Sequence, residues 1–516
     1  MVRQFADPHA FLRELVQNGI DAGATRLVVS ISEEGGGVVR TSVDDDGKGM
    51  TRAIIEGPLL TLFQSSKEDD ETKIGKYGIG FMSVFSTKPS VVEVRTRTRE
   101  EAWIVRLFGD HSYELSSDDD RIDANAGTVV TLVHTMHGEA FIEHAKLCAE
   151  ALLRWCRHAR VPISLDGREI NQPLAVEGTV TVEHVEGPTR IVVGAGAPGS
   201  FVGYYNRGLT LFESTLPEAG TGGVHVKIDS PKLAHTLSRD NVRRDATMER
   251  TLEGAVHTVR GPLWGKLEAK IASTARDVAD SSGVEKGALL ASLYEAAAAD
   301  AFGASGTDRA NELLVPLVET YDGALVASLG NVVAASEKAL VTSETSTPLT
   351  RALAGRGTPV VKLAALGAPL RRLTGDDVGI ADAATRFGFA STEGVSAHEG
   401  DDALLAELWR LAEATGRTVH DIVFAEFVGA PMAAKFRLVE TEAREAIIPV
   451  VVPKKRRWTT ERTLFVDVDD AAVRLARRRA KSDPVVAAHL LFRAILLEEG
   501  PLEAKDVDRL LEECNG

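Results

Sequence analysis

The chain predicts an α+β fold: an N-terminal α/β sandwich, then an α/β middle region and a helical C-terminal region. Three observations lead there. Residues 8–20 set Phe11, Leu12, Leu15, Val16 and Ile20 as an apolar stripe at helical spacing. Two alternating segments, starting at Leu27 and Val38, are separated by Gly35-Gly36-Gly37, which is a hairpin signal. Further strands follow this hairpin before the next helix, so the order is helix, antiparallel strands, helix, with no βαβ repeat.

Taken in order, the elements after the hairpin are strands at 91–96, 102–107 and 127–134 and a helix over 139–158. Val161–Leu165 and the turn Asp166-Gly167 close a first domain, 1–172. A second domain, 173–285, opens with strands at 176–182, 190–194, 201–212 and 223–229. It continues with Leu237-Ser238-Arg239-Asp240 and a long helical stretch at 246–275, and 276–284 reads as a linker. A third region, 286–440, starts in an alanine-rich helix. It then alternates strands (313–318, 324–327, 359–362) with helices such as 402–415. The last region, 441–516, holds the apolar strand from Ile447, the basic run Lys454–Arg457 and a helix pair broken by Pro484. The helix after Pro484 is apolar nearly all round, which suits either a homodimer interface or a domain core.

Composition excludes several classes. With 516 residues, about three domains are expected. A net charge of −16 disfavours a nucleic-acid coat or an anionic membrane surface as the main partner. No apolar run approaches the roughly 20 residues that cross a bilayer, and the first residues lack the apolar core of a secretory signal. Cys148, Cys156 and Cys514 cannot form a disulfide framework, so a reducing, cytoplasmic setting is expected. His134, His137 and His144 lack the HExxH pattern and are not expected to bind metal.

Chemistry concentrates near the N-terminus. Glu14, Asn18, Asp21 and Ala22 share one helix face, with Glu14 and Asn18 one turn apart. A carboxylate there can act as general base on a water, and an amide oxygen is a hard ligand for Mg2+. An exposed polar helix face is the plain alternative. Next comes Asp44-Asp45-Asp46-Gly47-Lys48-Gly49-Met50. It reads either as a solvated acidic hairpin or as a buried carboxylate, Asp45, accepting from an adenine amino group. Guanine would present a carbonyl there instead. A calcium loop fails on Lys48 and on the missing closing Glu. Finally Gly75-Lys76-Tyr77-Gly78-Ile79-Gly80-Phe81 opens a helix whose backbone N–H groups suit phosphate oxygens. No GxxxxGKS/T loop occurs, and no βαβ unit supports a dinucleotide site.

In that order, and with Gly127-Thr128, these residues resemble the GHKL ATPases: gyrase B, heat-shock-90 chaperones, sensor kinases and MutL. Phe11–Asn18 and Ile74–Ser83 are especially close to the HtpG type of heat-shock-90 chaperone. The resemblance covers about residues 8–172 and implies a Bergerat-type ATP-binding domain using ATP and Mg2+. It implies Glu14 as the base, Asn18 as the Mg2+ ligand, Asp45 as the adenine reader with Thr128 behind it, and Gly78 and Gly80 at the phosphates. Asp21, Ala22, Gly47, Gly49, Met50, Ser65, Lys67, Gly75, Ile79 and Phe81 would border the nucleotide.

In the second domain, Tyr204–Phe212 and Ser238-Arg239 resemble the chaperone middle domain, whose arginine reaches the ATP γ-phosphate; Arg239 falls on it. A surface pair with Asp240 is the other reading. There are departures too. The segment before Gly75 is shorter than a chaperone lid, Gln64 and Pro58 stand where the family carries lysine and asparagine, and few residues precede the first helix. A short or missing N-terminal strap is therefore expected. The resemblance implies client proteins as partners, homodimerisation through the C-terminal region and no membrane. A MutL- or MORC-like ATPase acting on DNA is the rival, and a nucleotide-gated interaction module with little hydrolysis is the third reading.

Overall fold

A computed structural model describes the chain apart from residues 1–6, 61–79, 119–124, 235, 237–240, 281–283, 304–308, 337–338, 363–366, 375–377, 430–435, 442, 450–457, 503 and 516. The chain divides into two compact units: residues 1–267 with 299–303, and residues 268–298 with 304–516.

The first unit begins with a 3-10 turn, Pro8–Ala10, which runs into helix α1, Phe11–Asp21. Strands β1 (Leu27–Glu34) and β2 (Val38–Asp45) form the hairpin foreseen at the three glycines, with Leu27 opposite Asp45. Gly36 and Gly37 both take positive φ, which explains why glycine sits at that turn. Strands β3 (Val91–Arg97), β4 (Ala102–Phe108), β5 (Tyr113–Ser117) and β6 (Gly127–Thr135) follow. Helix α2 (Glu139–Cys156) and the short strands β7 (Ile163–Leu165) and β8 (Arg168–Glu169) complete the layer.

The sheet order is β5-β4-β3-β6-β2-β1-β7-β8. Every neighbouring pair is antiparallel except β1 and β7. Alternate residues of the central strands (Leu27 and Val29, Val39 and Val43, Val92 and Val94, Val130 and Leu132) are buried with Phe11, Leu12, Leu15 and Val16 of α1 and Cys148 and Leu152 of α2. The period-2 pattern of the strands and the 3.6 pattern of the helices therefore meet in one core. At roughly 25 cal/mol per Å2, each fully buried Leu, Val or Phe there stabilises by about 1.5–3 kcal/mol before entropy is counted.

Still in the first unit, strands β9 (Val180–Glu186), β10 (Thr189–Ala195), β11 (Phe201–Asn206), β12 (Leu209–Ser214) and β13 (Val224–Asp229) form a second sheet, ordered β12-β11-β13-β10-β9. The single strand expected over 201–212 is a hairpin. The chain reverses at Arg207 and Gly208, both at positive φ, because an Asn-Arg-Gly tripeptide offers the turn that a continuous strand would lack.

The expected linker at 276–284 is also corrected: the helix Trp264–Asp280 runs through its first half, and a further helix starts at Val284. Ala275 and Val278 are buried, so apolar anchoring outlasts the polar residues that suggested a break.

The second unit holds two five-stranded sheets. The first joins β14 (Leu314–Tyr321), β15 (Ala324–Ser328), β16 (Ala339–Ser343), β17 (Val360–Lys362) and β18 (Gly379–Asp382). The other joins β19 (Phe387–Ser391), β20 (Asp421–Gly429), β21 (Phe436–Glu440), β22 (Glu445–Pro449) and β23 (Arg462–Asp467). The helices Ala471–Ala480, Pro484–Glu499 and Ala504–Asn515 end the chain. The helix after Pro484 buries Ala487, Ala488, Leu491, Phe492, Ile495 and Leu496 in its own unit, while Val486, Leu490 and Leu497 stay exposed. Among the described residues no helix is long and apolar enough to cross a membrane.

Candidate functional site

Asp45 ends β2 on the side of the sheet that faces α1, the parity shared with the buried Val39, Thr41 and Val43. What lets the helix lie on it is Gly19. A Cβ there would stand 2.7 Å from Leu27 Cδ2 and 3.1 Å from Asp45 Cβ, so a larger residue at the crossing would push on both side chains. Gly127 does the same from the other flank, where a Cβ would stand 2.3 Å from the Asp45 carbonyl oxygen. Gly49, at φ +70, has room only for hydrogen because a Cβ would lie 1.8 Å from the Arg97 carbonyl oxygen. Glycine in the acidic turn therefore permits close approach of neighbouring backbone.

Burial pushes the Asp45 carboxyl up to about 6, against the pull of hydrogen bonds from the backbone N–H groups of Gly47 and Thr128 and with the help of the charges on Asp44 and Asp46. Gly47 N–H donates to Asp45 Oδ1 at 2.9 Å. Its neighbour Asp46 behaves oppositely. Burial pushes its carboxyl up, but donors from Thr25 and Arg26 outweigh this and hold it below the usual carboxylate range. Thr25 N–H (2.6 Å) and Arg26 N–H (3.0 Å) both donate to Asp46 Oδ1. Asp46 thus ties the turn after α1 to the end of β2. Asp45 is left as a poorly solvated acceptor, the kind of split environment that separates a structural carboxylate from a recognising one.

Thr128 pairs with Asp45 across β6 and β2. Its hydroxyl lies 3.0 Å from Thr96 Oγ1, which in turn accepts from the Met50 N–H at 2.8 Å. Thr96 therefore links Thr128 to the segment after the acidic turn. On α1, Glu14 is buried, at 8% exposure, whereas Asn18 one turn on is exposed. Ala22 closes against the acidic turn: its carbonyl accepts from Lys48 N–H at 3.1 Å. Asp21 is exposed and engaged from two sides, by Gln17 Nε2 at 3.1 Å and by Arg207 Nη1 of the β11–β12 turn at 2.7 Å. The second sheet therefore reaches α1 directly. More pairs join the same parts: Arg160 to the buried Asp229 at 2.8 Å, and Lys227 Nζ to His158 Nε2 at 2.9 Å.

The glycine turn opens no α-helix. Gly80, buried, precedes a 3-10 helix, Phe81–Thr87, in which Ser83 Oγ donates back to the Gly80 carbonyl at 2.6 Å. Local side-chain capping of this kind favours the tighter turn. Ser65, Lys67, Gly75, Gly78, Ile79 and Arg239 lie outside the described residues.

The structure brings Asp45, Gly47, Gly49, Met50, Thr128 and the C-terminal half of α1 together. Reading the sequence missed Gly19, Thr96, Asp46 and Arg207. The dipeptide Asn18-Gly19 was the one visible signal, since glycine inside a helix costs about 1 kcal/mol and asks for a packing reason.

Comparison with known proteins gives these residues a class. A family model described as "Histidine kinase-, DNA gyrase B-, and HSP90-like ATPase" matches residues 7–126. Residues 7–126 thus match an ATPase domain of the GHKL type, and the sandwich of α1, α2 and the eight-stranded sheet is consistent with the Bergerat-type fold of that domain. The chain also resembles curated chaperones of the HtpG type. It is similar to the chaperone protein HtpG of Wolbachia sp. subsp. Brugia malayi, 27% identical over 197 residues, covering 32% of this chain and 30% of that protein. HtpG of Porphyromonas gingivalis is 30% identical over 188 residues, covering 31% and 26%. The DNA mismatch repair protein MutL of Sphingopyxis alaskensis is 43% identical over 93 residues, covering 17% and 15%. The chain spans less than a third of the length of these curated relatives.

Proposed function

We propose that this protein is an HtpG-like ATPase of chaperone type, cytoplasmic, which binds and hydrolyses Mg-ATP in residues 1–172 and uses the cycle to act on client proteins. The observation that carries the reading is the acceptor Asp45, poorly solvated and seated under Gly19 of the helix that also bears Glu14 and Asn18. An adenine amino group is the natural donor to such an acceptor, and Thr128 backs it through the sheet register. Glu14 takes the proton of the attacking water. Asn18, exposed and carrying a hard amide oxygen, fits a magnesium ion, which when bound neutralises charge on the phosphate oxygens. Gly75, Gly78, Ile79, Gly80 and Phe81 border the phosphates, with Ser65 and Lys67 in the short lid.

Arg239, from residues 173–285, stabilises charge on the γ-phosphate, because a planar guanidinium pairs two oxygens and stays ionised. The Arg207–Asp21 pair supports coupling between that segment and α1. Residues 286–440 form a second α/β region and 441–516 a C-terminal region. The exposed Val486, Leu490 and Leu497 of the latter support homodimerisation there.

A MutL-like role on DNA is the second reading, favoured by the 43% identity to MutL over 93 residues. The HtpG matches, at 188 and 197 residues, run about twice as far and tip the balance. An ATPase assay with and without duplex DNA, run beside a client-aggregation assay, separates the readings. ATP-dependent suppression of aggregation supports the chaperone. Turnover that rises steeply with DNA and collapses with salt supports the MutL-like role. Nucleotide binding without turnover supports an interaction module.

A further inference from the structure

Well away from Asp45, three imidazoles and a thiol meet between the sheet and α2. Thr41 of β2, whose Oγ1 lies 2.9 Å from His144 Nε2, is four residues from Asp45, about 13 Å at 3.3 Å per residue. His9 comes from the turn Pro8–Ala10, His134 from β6, and His144 and Cys148 from successive turns of α2. All four are buried.

His9 Nε2 lies 3.4 Å from His144 Nδ1, and Cys148 Sγ lies 3.6 Å from His144 Nε2. The His144 ring is 5.3 Å from that of His9 and 5.2 Å from that of His134. His9, His144 and Cys148 each bring one donor atom within 4.8 Å of the others, the one such group among the described residues. His134 is held at Nε2 by Thr87 Oγ1, 3.1 Å away, while its Nδ1 is buried with no hydrogen-bond partner. A core does not ordinarily leave such a nitrogen bare.

We propose that His9, His144 and Cys148, with His134 as the fourth donor, form a site for one zinc-class divalent cation. Imidazole nitrogen and thiolate sulfur are the ligand types that zinc takes, and magnesium, which takes oxygen, is disfavoured by them. Ligand atoms around a tetrahedral zinc stand about 3.3–3.7 Å apart, so a contraction of about 1 Å brings His9, His144 and Cys148 to that spacing, with His134 moving in from the neighbouring ring. Asp7 Oδ1 stands 4.0 Å from His9 Nδ1, on the ring edge opposite the Nε2 that approaches His144, and Trp155 Nε1 donates to Asp7 Oδ2 at 3.4 Å. On binding, the Cys148 thiol gives its proton to solvent and the thiolate takes the metal.

The ion would join the turn that precedes α1 to α2 and β6. The same turn is held by Ser86, whose Oγ donates to the Pro8 carbonyl at 2.6 Å. Occupancy therefore stiffens the start of the helix bearing Glu14, whether or not that residue acts as the base.

The test is a Co2+ titration of the full chain, stripped with chelator and kept reduced. One equivalent should produce intense tetrahedral d–d bands and a thiolate-to-cobalt charge-transfer band, both abolished by Zn2+. Cys148→Ser should remove the charge-transfer band and weaken Zn2+ binding by at least about 100-fold against a chromophoric chelator. Cys514→Ser should keep both. If Cys148→Ser loses its circular-dichroism signature of folding, His9→Gln in the short turn must show at least about a tenfold weakening. A folded wild-type chain without the charge-transfer band overturns the proposal, as does a band that survives Cys148→Ser or Zn2+ affinity unchanged in His9→Gln.

Discussion

Replacing Asp45 by asparagine should weaken ATP binding about 100-fold and at the same time stabilise the nucleotide-free protein. The carboxyl is pushed from 3.8 to about 6, chiefly by burial. A group whose folded value is raised favours the fold when protonated: that contribution is complete below 3.8 and is lost as pH rises through about 6. At pH 7.5 the ionised side chain is therefore held at a cost. A shift of about two units at about 1.4 kcal/mol each sets an upper bound near 3 kcal/mol, and partial exposure reduces it to about 1–2 kcal/mol.

The substituted asparagine escapes that cost, and its amide oxygen can still accept from Gly47. Its NH2 group, however, meets the adenine amino group donor to donor. Losing a charged acceptor and leaving a buried donor unpaired costs about 3 kcal/mol, or about 100-fold in affinity. Titration calorimetry and scanning calorimetry on the same preparations read both effects. Wild-type affinity should also fall about tenfold from pH 7 to pH 5 as Asp45 takes up its proton. ATP affinity within about threefold of wild type in Asp45→Asn, or a lower melting temperature without nucleotide at pH 7.5, would refute the reasoning.

Gly49→Ala should cost at least about 3 kcal/mol in urea unfolding, because its methyl group would collide with the Arg97 carbonyl at a positive φ. Thr128→Val breaks the hydroxyl contact with Thr96, and a loss of about 1 kcal/mol together with an ATP affinity up to about tenfold weaker is expected by calorimetry. Arg239→Ala should lower kcat by at least about 100-fold while KM moves by less than about threefold in steady-state phosphate release. A raised KM with kcat unchanged would make that arginine a binding residue only.

Much of the first domain was readable because its signals are local. The glycines at 35–37, the alternation in β3, β4 and β6, and the stripe on α1 each follow from neighbours in sequence. Strand β5 escaped because its residues are mostly exposed at the edge of the sheet and show no apolar alternation. In the second unit, β16 pairs in parallel with β17 and β18, and such ladders join segments far apart in sequence. At the site, acids and glycines in order gave Asp45, Gly47 and Gly49. Gly19 and Thr96 stayed hidden because their importance lies in what they pack against, Asp45 and Met50, and no spacing rule encodes that. The same holds for His9 and His144, 135 positions apart and in contact only once α2 packs on the sheet.

In the proposed mechanism, hydrolysis depends on Glu14 acting on the nucleotide that Asp45 recognises. The most direct test is phosphate release by wild type and Glu14→Ala, with ATP affinity measured on the same samples. Affinity unchanged within about threefold and turnover lower by at least about 100-fold is the predicted result. Undiminished phosphate release by Glu14→Ala would contradict it.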